Sequence, residues 1–406
     1  MPYAPFHLYG IILIVIPLIS QSALYLLVIK HLSQGGTGRR TTKKVIPVVM
    51  IIVNIPIILL RVAPEMFYAG FARHFIMIPF YAYQTMSVAI LLTVLIWFLV
   101  IRFPASLVRK IRTSAPLKTN PVPESAGRRE FMKKAAIGLG AYTFAGSMYS
   151  IYNRDDFQVK KVTLHLRKLP EVLSGLRIVM ISDIHSGLYM TADDMSRYKE
   201  ELDKLNADLI FMPGDFVTSK TREILPLVKS FSGVKSRFGT YACLGNHDFF
   251  ADPNAIAEKL RENGVNVLRN ETTEVEINGA KLVLSGVDDG AHANFPKVAF
   301  EANSLDAPRI LLCHQPYYFE KAVAGGFDAM LSGHTHGGQI VLLDFLGIKL
   351  TPAALVSPFV SGKYFRGTSV MYVTRGIGTV GIPVRVNCPP EVTMLTLAKS
   401  TSNKST

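Results

Sequence analysis

Apolar and polar positions along the 406-residue chain follow two different patterns. In the first third they gather into long uncharged runs, Leu8 to Ile29, Val45 to Leu60 and Phe75 to Ile101, with a weaker Gly-, Ala- and Ser-rich run at Ala135 to Tyr152. The first and third exceed the roughly 20 residues that span a bilayer; the second and fourth lie at its lower edge. Flanking cations extend short spans by snorkelling: Lys43, Lys44 and Arg61 around the second run, Lys133 and Lys134 before the fourth. This pattern predicts three transmembrane helices within residues 1–112 and a fourth over 135–154. The alternative for the fourth is an interfacial or packed helix.

From Arg177 onward short apolar runs end in polar turns. "LRIVMISDIH", "ADLIFMPGD", "GTYACLGNHD", "KLVLSGVDD", "RILLCHQP" and "FDAMLSGHTH" each read as a buried strand with polar residues at its carboxyl end. Thr191 to Asn206 reads as a helix, with Thr191 and Asp194 as a capping pair and Met195, Tyr198, Leu202 and Leu205 on one face. Pro253 to Asn263 reads as a second, stopped by Gly264. Strands alternating with helices predict an α/β domain over 155–398 with its sheets covered on both faces, followed by a polar tail, 399–406. In such sheets chemistry collects beyond the carboxyl ends of the strands.

Charge changes the picture in one respect. The net +14 invites a nucleic-acid reading, but residues 1–154 hold 17 Lys+Arg against 3 Asp+Glu, while 155–406 hold 27 of each. The excess belongs to the first third, so no nucleic-acid binding is expected. Most of it lies in the loops after the first and third runs, which places both loops on the cytoplasmic side. The mean hydropathy of +0.27 likewise comes from the apolar runs. Cys243, Cys313 and Cys388 show no pairing pattern and read as free thiols.

The polar strand ends contain Asp183 and His185, Asp215, Asn246 and His247, His314, and His334 and His336. Five of the ten histidines fall at these few positions, alongside carboxylates. A mixture of imidazole and oxygen donors that includes a carboxylate able to bridge is what two divalent ions require. Any one of these residues alone reads as a turn or cap; the ordered set does not.

The order "SDIH", "GD" (Gly214, Asp215), "GNHD", "CHQP", "GHTHGG" resembles the calcineurin-like metallophosphoesterases, over roughly residues 155–398. The longer "GHTHGGQ" and the ending "GIGTVGIPVRVNCPPEVTMLTL" look most like a bacterial membrane-linked phosphohydrolase subgroup that includes twin-arginine-exported phosphodiesterases. The resemblance implies a four-layer α-β-β-α sandwich and a phosphoester hydrolase working by metal-bound hydroxide. It implies that Asp183, His185 and His336 bind one ion, that Asn246, His314 and His334 bind the other, and that Asp215 bridges. Manganese is favoured, with iron and zinc open. His247 would protonate the leaving oxygen or position the phosphate, and Asp248 would orient that histidine or a ligand, or serve only a turn or salt bridge. The family's protein phosphatases follow their G-D with an Asp and an Arg that hold phosphate. Here the chain reads "GDFVTSK", which argues against phosphoprotein substrates and leaves Lys220 as a partial substitute or a solvated side chain.

Location and substrate are linked. The Pro-, Ser- and Thr-rich linker 113–134 ends in "RREFMKK", where Arg128, Arg129 and Phe131 resemble a twin-arginine export signal, implying the twin-arginine translocase as a partner. Together with the basic loops this predicts a multi-pass protein of the bacterial cytoplasmic membrane with a periplasmic or extracellular catalytic domain, in contact with bilayer lipid. The substrate expected there is a cell-envelope or lipid-linked phosphoester, and the apolar stretch 340–360 either meets acyl chains or is ordinary core. A cytoplasmic domain would point instead to UDP-2,3-diacylglucosamine hydrolysis. A non-catalytic scaffold would be expected to lack ligands or His247, and none is missing; a transporter would need charged residues in the first three runs, which hold only Gln21, Asn54 and Gln84 as notable polar groups.

Overall fold

A computed structural model of the chain describes residues 15–26, 37–62, 66, 70–97, 134, 138, 141, 145–151, 156–303, 305–345 and 348–400. The chain divides into two compact units, Met1–Tyr152 and Asn153–Thr406. Nearly all of the linker, with Arg128, Arg129 and Phe131, lies outside the described residues, as do half of the fourth apolar run and the last six residues of the tail.

In the first unit residues 15–26 are helical, followed by α1 (Thr37–Val62) and α2 (Ile78–Trp97). The three amides of the apolar runs satisfy one another in a closed ring. Gln21 donates to Gln84 (2.7 Å), Gln84 to Asn54 (2.8 Å) and Asn54 to Gln21 (2.8 Å), so no amide there lacks a partner. The expectation of a multi-pass membrane protein with an exported catalytic domain is overturned. Among the described residues no helix is long and apolar enough to cross a membrane. The reason lies in where the helices begin and end. α1 takes in Arg39, Arg40, Lys43 and Lys44 and closes past Arg61, and it contains Pro47 and Pro56. Its uncharged part, Val45 to Leu60, covers only about 24 Å at about 1.5 Å per residue, against a hydrocarbon core of about 30 Å. Within the described part of the third run a π-helical turn, Arg73–Met77, precedes α2, whose first half carries Tyr81, Tyr83, Gln84, Thr85 and Ser87.

The second unit is built on two six-stranded mixed sheets. One has the order β1 (Gln158–Leu166), β14 (Glu391–Lys399), β2 (Arg177–Met180), β3 (Leu209–Pro213), β4 (Thr240–Cys243), β5 (Val265–Val267). The other runs β12 (Gly362–Arg366), β13 (Ser369–Val373), β9 (Ala329–Ser332), β8 (Arg309–Leu312), β7 (Ala280–Gly286), β6 (Glu271–Ile277). β10 (Leu343–Phe345) and β11 (Ile348–Leu350) form a separate antiparallel pair. Each of the six runs read as a strand forms one. Both thiols in those runs, Cys243 and Cys313, are buried and free, as is Cys388.

Side-chain alternation explains the layering, because successive residues of a strand face opposite sides. Ile178, Met180, Leu209 and Phe211 turn inward and pack with Leu284, Leu312, Leu331 and Tyr372 of the other sheet. Their neighbours Val179, Ile181, Ile210 and Met212 turn outward onto α3 (Ala192–Lys204), α4 (Ile224–Phe231) and α6 (Pro253–Glu262), through Met195, Tyr198, Leu202, Leu227 and Leu260. On the far side Val283, Leu311, Met330 and Met371 pack against Val298 of α7 (Phe295–Asn303) and Phe319 of α8 (Phe319–Ala324). The result is helix, sheet, sheet, helix. The α3 start is as read from the sequence: the Asp194 carboxylate accepts from the Thr191 N–H and hydroxyl, both at 2.8 Å. β2, β3 and β4 run parallel, as do β7, β8, β9 and β13, so each sheet delivers its polar strand ends to one edge.

Candidate metal centre

The backbone itself is unusual at these ends. Asp183 (φ 52), His185 (φ 49), Asp215 (φ 57), His334 (φ 74) and His336 (φ 51) all adopt left-handed conformations. For a side chain with a Cβ this costs about 1–3 kcal/mol per residue, and it persists only where the surroundings over-determine it. Five of the ten such non-glycine residues among those described are candidate ligands, so the strain is concentrated where the chemistry would be.

The side chains fall into three overlapping groups, one of which is His185, Asp215 and His247. Asp183, His185 and His336 bring one ligand atom each to a common point, and Asp215, His314 and His334 do the same beside it. His185 and His336 face each other Nε2 to Nε2 at 3.0 Å, and Asp183 Oδ1 is 3.4 Å from His336 Nε2. Asp215 lies between the groups: its Oδ2 is 3.5 Å from His185 Nε2 and 3.0 Å from His314 Nε2, while its Oδ1 accepts from the His247 N–H at 2.8 Å. Asn246 joins the second group through Oδ1, 2.9 Å from His334 Nδ1.

Neighbours aim these groups. His314 donates its Nδ1–H to the Pro213 carbonyl (2.8 Å), which leaves Nε2 turned to the site. His247 donates Nδ1–H to the Thr218 carbonyl (2.6 Å), since a carbonyl can only accept. α5 (Asn246–Phe250) is a five-residue helix starting at Gly245, and it places Asn246 and His247 on the site. Two glycines are required by proximity. A Cβ on Gly333 would collide with Asp183 Oδ2 and Ser182 Oγ, and one on Gly245 with Asp215 Oδ1.

Of the readings open for Asp248, the geometry favours the turn that carries a candidate ligand over the His247 ring: its carboxylate accepts from four backbone N–H groups. Oδ2 takes Gly245 (2.9 Å) and Asp215 (3.0 Å), and Oδ1 takes Phe216 (2.9 Å) and Val217 (3.3 Å). It clamps the loop that carries Asp215. Lys220 is exposed, which is the solvated reading of that residue.

Burial and charge set the protonation of this cluster. Burial pushes His185 and His334 down to about 3 and holds His336 well below the ordinary imidazole range, so all three are neutral and able to donate a lone pair. His314 goes the other way: burial alone would lower it, but the Asp215 charge outweighs that and pushes it up to about 10. In Asp215 the opposing effect of burial is overcome by His314 and His247, which hold it well below the carboxylate range. Burial pushes Asp183 up to about 6. Asp183 Oδ2 and His314 Nε2 are buried without a hydrogen-bond partner, although His314 Nε2 is at ion-pair distance from Asp215. Buried ligand atoms left over in this way, in a nitrogen and oxygen set without thiolate, fit divalent cations of the Mn, Fe or Zn kind.

Several residues at the site carried no recognised motif. Arg385 is buried, and its guanidinium donates to the carbonyls of Gly378 (3.1 Å), Arg375 (2.9 Å), Gly376 (3.2 Å) and Cys388 (3.1 Å), lacing the closing loop beneath His336. Its one signal was a lone Arg in the Gly- and Pro-rich "GIGTVGIPVRVNCPP". Asp289, at the end of β7 in "GVDDG", accepts from Gln315 Nε2 (3.2 Å), and burial pushes it up to about 6.

Residues 176–338 match the family described as calcineurin-like phosphoesterase. The chain is 33% identical over 258 residues to a "Transmembrane protein with metallophosphoesterase domain" of Danio rerio, an alignment covering 60% of this chain and 58% of that protein. It is 30% identical over 271 residues to an uncharacterized metallophosphoesterase of Aquifex aeolicus, covering 64% of this chain and 97% of that one. With an uncharacterized metallophosphoesterase of Bacillus subtilis the identity is 31% over 289 residues, covering 68% and 98%. The chain therefore spans little more than half the length of the vertebrate relative and almost all of the two bacterial ones.

Proposed function

The chain belongs to the metallophosphoesterase family, and from that premise we propose that it hydrolyses a phosphoric ester at two divalent cations. The observation that supports this best is the position of Asp215, whose Oδ2 lies 3.5 Å from His185 in one ligand group and 3.0 Å from His314 in the other. Asp183, His185 and His336 would hold one ion, Asn246, His314 and His334 the second, and Asp215 would bridge. When bound, two such ions supply Lewis acidity toward phosphoryl oxygens and make water a nucleophile at neutral pH. The remaining work falls to the chain. Asp248 keeps the Asp215 loop in register through its four amides. His247, its Nδ1–H held by Thr218, turns Nε2 toward the site and would protonate the departing alkoxide.

The substrate reading is a lipid-linked phosphoester. What supports it is the stretch after the last ligands, where Val341, Phe359 and Val360 are core but Leu342, Leu343, Leu350, Leu355 and Val356 are exposed, Leu355 by 88%. A row of exposed apolar residues next to a phosphoryl site suits an ester whose alcohol carries an alkyl chain.

The test is hydrolysis by the full-length chain, stripped with chelator and reloaded with Mn, of aryl phosphodiesters and monoesters and then of alkyl diesters of increasing length. Turnover that requires metal and disappears in Asp215→Ala is expected, with kcat/KM rising with chain length. No metal-dependent hydrolysis of any ester would overturn the catalytic reading; kcat/KM indifferent to chain length would overturn the substrate reading alone.

A further inference from the structure

The turn after β3 holds a buried carboxylate that the proposed chemistry leaves unused. Glu223 is 8% exposed, and its Oε2 accepts from three consecutive amides, Thr218 (3.0 Å), Ser219 (2.9 Å) and Lys220 (3.0 Å). Successive amides converging on one oxygen make an anion nest, here filled by the chain's own side chain. The Thr218 carbonyl in this nest is the group that takes Nδ1–H of His247, at 2.6 Å. Both ends of the turn are pinned as well. Ser186 Oγ donates to the Glu223 carbonyl (2.7 Å), and Thr218 Oγ1 donates to the His185 carbonyl (3.1 Å).

We propose that Glu223 is a positioning residue for His247, fixing through three amides the carbonyl that sets the tautomer and aim of the ring. The inference rests on reading His247 as the group that protonates the leaving oxygen. No side chain of the ligand set touches Glu223 in this chain of contacts; its influence passes through the backbone of Thr218 to the imidazole. With the carboxylate gone, three part-buried amides lose their shared acceptor, the turn relaxes, and His247 is no longer held with Nε2 toward the departing oxygen.

The experiment uses the full-length, Mn-loaded protein and two aryl phosphodiesters, one with p-nitrophenolate and one with phenolate as leaving group. Nitrophenolate departs with little help from an acid, whereas phenolate needs the proton more. Glu223→Ala is expected to lower kcat for the phenyl ester by about 10- to 100-fold, the scale of a misplaced catalytic group, and for the nitrophenyl ester by no more than about 3-fold. KM and metal content should stay unchanged, and Glu223→Gln, whose amide oxygen still accepts from the nest, should recover most of the loss. In a His247→Ala background the Glu223→Ala change should have no further effect. An equal fractional loss in both backgrounds, or equal losses for the two leaving groups, would overturn the inference while leaving His247 as the acid. Unchanged turnover of the phenyl ester by His247→Ala alone would instead sink the reading of His247, and this inference with it.

Discussion

Replacing Asp248 by Asn tests whether the candidate metal centre depends on a carboxylate outside its ligand groups. The four amides it accepts divide between two oxygens: Gly245 and Asp215 on Oδ2 (2.9 and 3.0 Å), Phe216 and Val217 on Oδ1 (2.9 and 3.3 Å). Asparagine keeps one oxygen and turns an NH2 toward the other pair, so at least two buried N–H groups lose their acceptor. At about 1.5–3 kcal/mol for each hydrogen bond to a charged group, the loss is about 3–6 kcal/mol. An opposing effect exists, because burial and then the Asp215 charge push Asp248 up to about 7, and a neutral amide relieves that strain. The expected cost is therefore at the low end, about 3 kcal/mol, or a fall in Tm of about 6–12 °C for a unit of this size. Asp215 sits in a left-handed backbone that the clamp helps to hold, so the loosened loop should also release metal. Calorimetry on the stripped and reloaded protein, with metal analysis alongside, reads both. A Tm within about 2 °C of the unaltered protein with two ions retained would refute the clamp argument, since that is below the shift expected from 1 kcal/mol.

Asp215→Ala should abolish hydrolysis of an aryl phosphodiester and lower metal content, because both ligand groups lose their shared carboxylate; retained turnover with two ions bound would count against the bridge. His247→Ala should keep its metal while kcat falls by about 10² to 10⁴, the usual range for losing a general acid, and metal loss in that variant would make His247 a ligand instead. Gly333→Ala should remove the ion proposed for Asp183, because the new methyl occupies the space of Asp183 Oδ2 and Ser182 Oγ; normal metal content would show that the pair can move aside. Metal loading should strengthen with pH. His314 in the stripped protein is pushed up to about 10, so below that pH an ion must displace its proton, and affinity should rise up to about tenfold per pH unit from about pH 7 to about 9.5. His185 and His334, already neutral at about 3, should add no pH dependence in that range. Titration calorimetry with proton release measures this directly, and a flat affinity would contradict it.

The second unit was legible wherever one local rule decided the outcome. Alternation in "LRIVM" and "ADLIF" fixes which residues face the other sheet and which face helices, because a strand has only two faces. Thr191 and Asp194 fix the start of α3 because a helix end must satisfy its own amides. In the first third run length does not give helix length: α1 begins among Arg39, Arg40, Lys43 and Lys44 and α2 begins only after a π-helical turn, and neither boundary is set by hydropathy. Gln21, Asn54 and Gln84 read as helix-packing groups rather than an ion path, but which would bond which was not written in the sequence, since partners 30 to 63 residues apart meet only when helices pack.

By itself the sequence determined the donors: which carboxylates and imidazoles exist, in what order, and that they follow strands. This is a property of residue type and period, and both are local. Only the tertiary structure decided how they act together. It placed the Asp215 oxygen within 3.5 Å of His185 and 3.0 Å of His314. It gave the Asp248 carboxylate to four backbone amides rather than to the His247 ring. It also held five candidate ligand residues in a left-handed backbone that no short peptide containing them would favour. Such conformations cost free energy residue by residue, and only the combined packing of two sheets and their loops is large enough to offset them.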